Sequence, residues 1–252
     1  NAVGVWTRSY SDAVDNAKGI AIADMDGDLD LDLVVGDFQG KEIRLYQNDG
    51  NSTAGFTRQT VYSGSDLFVF DVNVGDFNGD GDNDIVFVDW GTTGEVGILL
   101  NDGAANPVFQ RQTIDTSGSL LYHVDVADLD GDGSDDLIVA DKNNFDIIAY
   151  LNGGAADFTR RIVDDNTGQV EWAEAADVNG DGNLDVISAS TSFNSIEIHK
   201  GQGDGYLVAT VNEDVSFGGL NLQVADDAGA NLLEVTINVV NGSISLPTGS
   251  VT

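Results

Sequence analysis

The sequence predicts an all-β fold, a β-propeller built from four-stranded blades. A nine-residue acidic loop occurs four times, its copies begin 52, 52 and 49 residues apart, and short apolar segments of strand type flank each copy. A period near this length is typical of a propeller blade, whereas most helical repeats are shorter. The chain has 252 residues, 41% of them hydrophobic, which is enough to bury a large core.

The four loops share one pattern of oxygen-bearing side chains. Each has Asp at its first, fifth and ninth positions and Asp or Asn at its third, and they run over Asp24–Asp32, Asp76–Asp84, Asp128–Asp136 and Asp177–Asp185. Oxygens at positions one, three and five converge when glycine lets the backbone turn, and the ninth carboxylate closes the shell. This set suits a hard cation, and the sequence has no Cys for a softer one. We therefore expect about four Ca²⁺ sites.

An EF-hand shares the first three ligand positions of these loops, but it also needs a bidentate Glu at position twelve. The residues at that position are Val35, Phe87, Val139 and Ser188. The flanks are short apolar strands with no helical period, as in Ile20–Ala23 and Leu31–Val35. The pattern thus indicates a strand, metal loop and strand, and it excludes an EF-hand.

Each repeat contains the same four predicted strands in the same order. An aromatic-x-Arg strand comes first, then a strand that leads into the loop, a continuous apolar strand, and a last strand that ends in an Asn/Gly turn. The units span about residues 3–55, 56–108, 109–157 and 158–205. Continuous apolar strands indicate sheets buried on both faces, as in stacked blades. A β-sandwich is the structural alternative, although its strands are not normally repeated at this period.

The pattern changes near the C-terminus. Residues 206–211 align with the aromatic-x-Arg strand and are expected to complete the last blade, which assigns 1–211 to the propeller. Residues 212–252 have alternating strands and different turns, and they predict a partial immunoglobulin-like or cadherin-like β segment.

The formal charge of −33 constrains the partners of the chain. Of its 36 Asp residues 17 lie in the four loops, so bound divalent ions would neutralise part of the charge. The remainder argues against nucleic acid and anionic membranes as partners, and no run of residues predicts membrane insertion. Calcium loops of this kind fill reliably where free calcium is high, which predicts a secreted or cell-surface protein. The chain begins at Asn1, and we expect a mature or excised fragment.

The loops and their flanks resemble the FG-GAP or VCBS repeat family, known from integrin alpha chains and many large bacterial surface proteins. In that family the motif D-x-(D/N)-G-D-G-x-x-D joins the two inner strands of a blade and binds calcium. Residues 212–252 resemble the start of the tandem cadherin-like modules of bacterial adhesins. Because family propellers usually close with more than four blades, the resemblance also implies a longer protein.

The resemblance implies four side-chain ligands in each loop and one backbone carbonyl at the seventh position. The implied side-chain ligands are Asp24, Asp26, Asp28, Asp32, Asp76, Asn78, Asp80, Asp84, Asp128, Asp130, Asp132, Asp136, Asp177, Asn179, Asp181 and Asp185. The implied carbonyls belong to Asp30, Asp82, Ser134 and Asn183. The first loop departs from the motif because Leu29 replaces the glycine found at Gly81, Gly133 and Gly182, and we expect it to be the least secure site.

A second candidate site lies on the strands that lead into the loops. Polar or aromatic side chains stand five and three residues before three of the loops, on one face of the predicted strand: Asp71, Asn73, His123, Asp125, Trp172 and Glu174. We expect them to line a ligand-binding pocket near the propeller axis, opposite the calcium loops. Carboxylates beside a His suit acid–base chemistry, and Trp can stack on a sugar. The alternative is a wet channel mouth lined by ordinary polar residues.

These observations predict an extracellular calcium-binding propeller that serves as an adhesion or ligand-binding platform, with calcium in a mainly structural role. Its expected partner is a cell-surface protein or a glycan. The alternative is a polysaccharide-acting enzyme or an enzyme-attached carbohydrate-binding module. The sequence has no G-x-S-x-G motif, no phosphate-binding Gly loop with Lys and no His/Cys zinc set, so those chemistries are excluded.

Overall fold

The structure is a computed structural model that describes residues 10–50, 55–91 and 94–201. These residues contain strands and no helix, which confirms the all-β prediction. The strands are β1 (Ala17–Ala23), β2 (Asp32–Asp37), β3 (Glu42–Asn48), β4 (Phe56–Ser63), β5 (Val69–Gly75), β6 (Asp84–Asp89), β7 (Gly94–Asn101), β8 (Phe109–Gly118), β9 (Leu121–Ala127), β10 (Asp136–Asp141), β11 (Asp146–Asn152), β12 (Phe158–Asp164), β13 (Val170–Ala176), β14 (Asp185–Ser190) and β15 (Ser195–His199).

The strands form four antiparallel sheets, each ordered as the strands follow one another in the chain. Three sheets have four strands, β1–β4, β5–β8 and β9–β12, and the described part of the fourth has β13, β14 and β15. The first strand of each sheet contacts the first strand of the next, from β1 to β5 to β9 to β13. The sheets therefore radiate from a shared inner side as blades, which confirms the β-propeller prediction.

The blades are shifted in sequence relative to the predicted repeat units. The aromatic-x-Arg strand β4 pairs with β3, with Asn48 opposite Phe56, so it closes the first sheet instead of opening the second. The same holds for β8 and β12. The physical reason is the short Asn/Gly turn after the third strand of each blade, which makes a hairpin with the strand that follows. Unit boundaries at 56, 109 and 158 thus fall inside blades.

Two predicted features lie outside the described residues. They are the strand at 206–211 and the cadherin-like segment at 212–252. The described residues all belong to one compact unit, Asn1–Leu207. No helix in them is long and apolar enough to cross a membrane.

Apolar side chains fill the spaces between successive blades. One cluster joins the first two sheets through residues such as Ile43, Val69 and Phe87, and further clusters join the second to the third and the third to the fourth. Every residue of β6 and β10 is buried, as the continuous apolar pattern predicts for a strand between two neighbouring blades. This stacking of blades places the acidic loops along one edge of the molecule. The turns at the other ends of the strands lie along the opposite edge.

Candidate functional site

Each acidic loop connects the first two strands of a blade and is shaped by its own hydrogen bonds. In the first loop, the Asp24 carboxylate accepts the backbone N–H of Gly27 at 2.8 Å and of Leu29 at 2.9 Å. The first Asp of the other three loops accepts the equivalent pair of N–H groups. These bonds hold the loop closed around the side chains at positions three, five and nine.

The ninth carboxylate of each loop is fully buried and ties the loop to the third strand of its blade. Asp84 accepts the Phe77 N–H on one oxygen at 3.0 Å and the Asn101 N–H on the other at 2.7 Å. Asp32, Asp136 and Asp185 accept N–H groups at the equivalent positions. Burial raises the pKa of Asp84 to about 6, because the charged form is desolvated.

The residues of the first and third loops fit a divalent cation. Ligand oxygens of Asp24, Asp26 and Asp32 all lie within 4.8 Å of one another, and so do those of the equivalent residues in the third loop, Asp128, Asp130 and Asp136. Asp26 Oδ1 is buried and has no hydrogen-bond partner, although buried carboxylate oxygens are normally paired. An all-oxygen donor set with one unpaired buried oxygen suits Ca²⁺. The metal assignment itself stays a prediction.

The loop that lacks the second glycine keeps the same backbone turn. Leu29 has φ 74°, close to the values of 93°, 90° and 92° at Gly81, Gly133 and Gly182. Its side chain is 89% exposed, and a Cβ built on the three glycines would meet no atom within 4 Å. The departure at Leu29 therefore costs backbone strain and causes no steric clash.

The structure brings three of the predicted pocket residues into one group on neighbouring inner strands. His123 Nε2 lies 3.7 Å from Asp71 Oδ2, and the rings of His123 and Trp172 have centroids 3.7 Å apart. Burial raises the pKa of Asp71 to about 6 and lowers that of His123. Trp172 is 51% exposed at the end of this group.

The polar atoms of the predicted pocket residues mostly join one blade to the next. Asp71 Oδ2 accepts the Val124 N–H at 3.2 Å, and the Asp125 carboxylate accepts the Ala175 N–H at 2.9 Å. His123 Nδ1–H donates to the Ala173 carbonyl at 2.9 Å, and Asn73 donates to the Val124 carbonyl at 3.4 Å. Glu174 is exposed. Inner strands of adjacent blades are thus linked by side chains, and these atoms are committed to backbone partners.

A row of aromatic side chains lies along the edge opposite the acidic loops, and the sequence pattern did not reveal it. We call Trp90, Phe38, Phe68, Phe70 and Tyr122 the aromatic row. Ring centroids are 5.7 Å apart between Trp90 and Phe38, 6.1 Å between Phe38 and Phe70, and 4.4 Å between Phe70 and Tyr122. Phe68 packs on Phe38 at 5.4 Å. All five side chains remain partly exposed.

Three lysines lie over rings of the aromatic row. Lys18 Nζ is 5.1 Å from the Phe70 centroid, Lys41 Nζ is 4.5 Å from that of Phe68, and Lys142 Nζ is 4.2 Å from that of Tyr122. These are three of only four lysines in the sequence, so the row concentrates the amines of an acidic chain. Lys142 also forms an ion pair with Glu171.

Part of the aromatic row has a sequence signal, at the position six residues before each loop. Lys18, Phe70, Tyr122 and Glu171 each stand six residues before a loop. Positions five, three and one before the loops follow the regular alternation of the inner strand, whereas the sixth position lies where the strand pairing shifts register. Aligned at this position, the repeats give Phe70 and Tyr122 of the row with Lys18 and Glu171 beside them, whereas Phe38, Phe68 and Trp90 lie elsewhere in the repeat.

The fold and the loops define the class of this protein as a repeat β-propeller with acidic loops between the inner strands of its blades. A family model described as FG-GAP-like repeat matches residues 24–87, 76–139 and 128–188, which together span more than half of the chain. The chain belongs to the FG-GAP-like repeat family.

A solved structure shares the fold. It is that of an Agrocybe aegerita lectin, described as specifically recognising non-reducing terminal N-acetylglucosamine, and it is 23% identical with a TM-score of 0.50. The match covers 73% of this chain and 49% of the lectin chain, so this chain spans about half of the lectin's length. No curated protein matches the chain.

Proposed function

We propose that this chain is a calcium-stabilised propeller segment that binds carbohydrate and serves as an adhesion platform in a secreted or cell-surface bacterial protein. The observation that carries the proposal is the aromatic row, a partly exposed set of rings on the edge away from the acidic loops. Aromatic faces beside amine and carboxylate groups suit a sugar ring, which offers apolar C–H faces and polar hydroxyls.

In this proposal the edge with the acidic loops stabilises the fold, and the edge with the aromatic row binds the ligand. The strand β6 runs from Asp84 in the second loop to Asp89, which precedes Trp90 in the aromatic row. Six residues of strand separate the edges by about 20 Å, which is too far for an ion in the loop to touch a ligand on the aromatic row. Calcium in the loops would therefore stabilise the blades without contacting a ligand on the aromatic row.

The lectin with the same fold supports carbohydrate as the ligand class, because that protein recognises non-reducing terminal N-acetylglucosamine. Family membership supports calcium as the loop ion, together with the unpaired Asp26 Oδ1 and its neighbouring carboxylates. The hydrogen bonds within each loop also support a structural role, because the carboxylates face the loop interior and not an open cleft.

The calcium part of the proposal is tested by thermal unfolding with calcium and with a chelator. We expect the chelator to lower the Tm, and re-added calcium to restore it, whereas magnesium should restore less because it demands a stricter octahedral geometry. An unchanged Tm after chelation, with no metal detected by elemental analysis, would remove calcium from the proposal.

The ligand part is tested on an array of immobilised glycans in calcium buffer, followed by calorimetry on the glycans that bind. Saturable binding without product release supports a binding platform, and the lack of any bound glycan refutes it. Product release that Asp125→Asn or Glu174→Gln abolishes would instead establish the enzymatic alternative.

A further inference from the structure

The aromatic row is an open strip and not a closed cavity. It begins at the turns after β2 and β6, where Phe38 and Trp90 lie, and continues through Phe70 to Tyr122 on β9. It therefore crosses the edges of three successive blades. Each step between neighbouring ring centroids is 4.4 to 6.1 Å, so the rings form a continuous apolar surface.

We infer that the aromatic row binds the interior of a neutral polysaccharide chain, with several consecutive sugar units laid along it. This inference rests on the proposed carbohydrate binding and adds the surface, the charge class and the binding mode. An open strip of rings contacts a run of units, whereas recognition of a chain end needs a site that encloses the terminal unit. The rings are tilted against one another, by 64° between Trp90 and Phe38, 86° between Phe38 and Phe70 and 36° between Phe70 and Tyr122, so a chain laid along the row meets ring edges as well as ring faces.

The charges around the row favour a neutral chain over an anionic one. Lys142 is paired with Glu171, and Lys41 donates to the Ser65 carbonyl. Lys18 lies between two rings, 5.1 Å from the Phe70 centroid and 5.9 Å from that of Phe38. These amines are held by local partners, while the chain as a whole has a formal charge of −33 that repels polyanions. The same amines and the Glu171 carboxylate remain suitable hydrogen-bond partners for sugar hydroxyls.

The first test measures how affinity depends on chain length and charge. Calorimetry in calcium buffer compares neutral oligomers of glucose, mannose and N-acetylglucosamine, from disaccharide to hexasaccharide, with oligogalacturonates of the same lengths. For the neutral series that binds, we expect affinity to rise by at least about tenfold between disaccharide and tetrasaccharide and then to level off, because units beyond the ends of the row gain no further ring contact. Equal affinity for all lengths, or tighter binding of the oligogalacturonates, would overturn the inference.

The second test uses variants within the row. Phe70→Ala and Tyr122→Ala should each weaken hexasaccharide binding by about tenfold, as expected when a central aromatic contact is removed. Phe70→Tyr and Tyr122→Phe keep the ring and should bind within about twofold of the wild type. Thermal unfolding checks that each variant is folded, and Tyr122→Leu replaces Tyr122→Ala if the latter is not.

The outcomes separate this inference from the proposed function. If no glycan binds at all, both fail together. If glycans bind and Trp172→Ala abolishes binding while Phe70→Ala and Tyr122→Ala leave it unchanged, carbohydrate binding stands and the aromatic row is not its site.

Discussion

The Asp84→Asn substitution tests whether the ninth loop carboxylate makes stability depend on calcium. Asp84 is fully buried, and its two oxygens accept one N–H each, from Phe77 and Asn101. An Asn side chain has one acceptor oxygen and places its NH₂ against the second N–H. That leaves a buried backbone donor unpaired, at a cost of about 1–3 kcal/mol.

The change in charge opposes this cost when no metal is bound. Burial raises the pKa of Asp84 from 3.8 to about 6, so at pH 7 the ionised carboxylate destabilises the metal-free fold by about 3 kcal/mol. The neutral amide has no such penalty, and the two effects nearly cancel. Calcium at the proposed site would reverse the balance, since an occupied site would stabilise the wild type by about 2.7 kcal/mol at a hundredfold excess over Kd. The variant lacks this gain at one site.

We therefore expect Asp84→Asn to change the free energy of unfolding little in chelator and to lower it by about 3 kcal/mol in calcium. In thermal unfolding this corresponds to a loss of about 5–10 °C in Tm, seen only with calcium. Urea unfolding with and without calcium measures both values.

Asp89→Asn at the other end of β6 is the matched control. Asp89 is also buried, but a single oxygen accepts both the Phe68 N–H and the Gly91 N–H, so an amide oxygen can accept both. This variant should respond to calcium as the wild type does. Equal losses for Asp84→Asn in chelator and in calcium, or the same calcium-dependent loss for Asp89→Asn, would refute the reasoning.

Three further predictions, with five substitutions, test the backbone and the inner strands. Leu29→Gly should raise the free energy of unfolding by about 0.5–1 kcal/mol in urea titrations, because it relieves a left-handed residue, and Gly81→Leu should lower it. Because the pKa of Asp71 is raised, the free energy of unfolding of the wild type should fall as pH rises from about 4 through 6. Over that range the free energy of unfolding of Asp71→Asn should rise by about 2–3 kcal/mol relative to the wild type. A difference between the two proteins that does not change with pH would contradict the raised pKa. Gly19→Ala should destabilise by about 1–3 kcal/mol, since its Cβ would lie 2.7 Å from the Asp71 Cα, whereas Gly64→Ala, with its nearest contact at 3.6 Å, should be nearly neutral.

The fold was predictable because its main determinants are local and repeated. The loop Asp residues, the apolar strand after each loop and the Asn/Gly turn all lie within one repeat, so fourfold repetition makes the pattern plain. The assignment of strands to blades was harder to predict from the sequence, because it depends on whether β4 pairs with the strand before it or with the strand after it. Asn101 illustrates the limit: it reads as a turn residue, yet its amide also donates to the Met25 carbonyl of the preceding blade at 2.9 Å.

The predicted pocket shows why side-chain roles between blades were not predictable. Whether the Asp71 carboxylate faces a cavity or a backbone N–H depends on how closely neighbouring inner strands approach. On the other side of the same strand, that approach leaves no room for a Cβ at Gly19, which would meet the Val72 nitrogen at 2.5 Å. The residue pattern within one repeat does not indicate the distance between the inner strands of neighbouring blades. The aromatic row was missed for a related reason, since Phe38 lies in the turn after β2 of one blade and Phe70 lies on β5 of the next.

The residues that are the same in every blade and the residues that differ between blades lie on opposite edges of this molecule. This separation has a consequence for the proposed ligand specificity. The ninth loop residue is Asp in all four blades, whereas the residue six positions before the loop is Lys18, Phe70, Tyr122 or Glu171. Because inner strands of successive blades are neighbours, these four positions form one contiguous surface. Under the proposed function, substitutions there alter carbohydrate binding without touching the edge that carries the acidic loops. Tyr122→Ala should accordingly weaken glycan binding while the calcium-dependent rise in Tm stays as in the wild type; a reduced calcium response would show that the two edges are coupled.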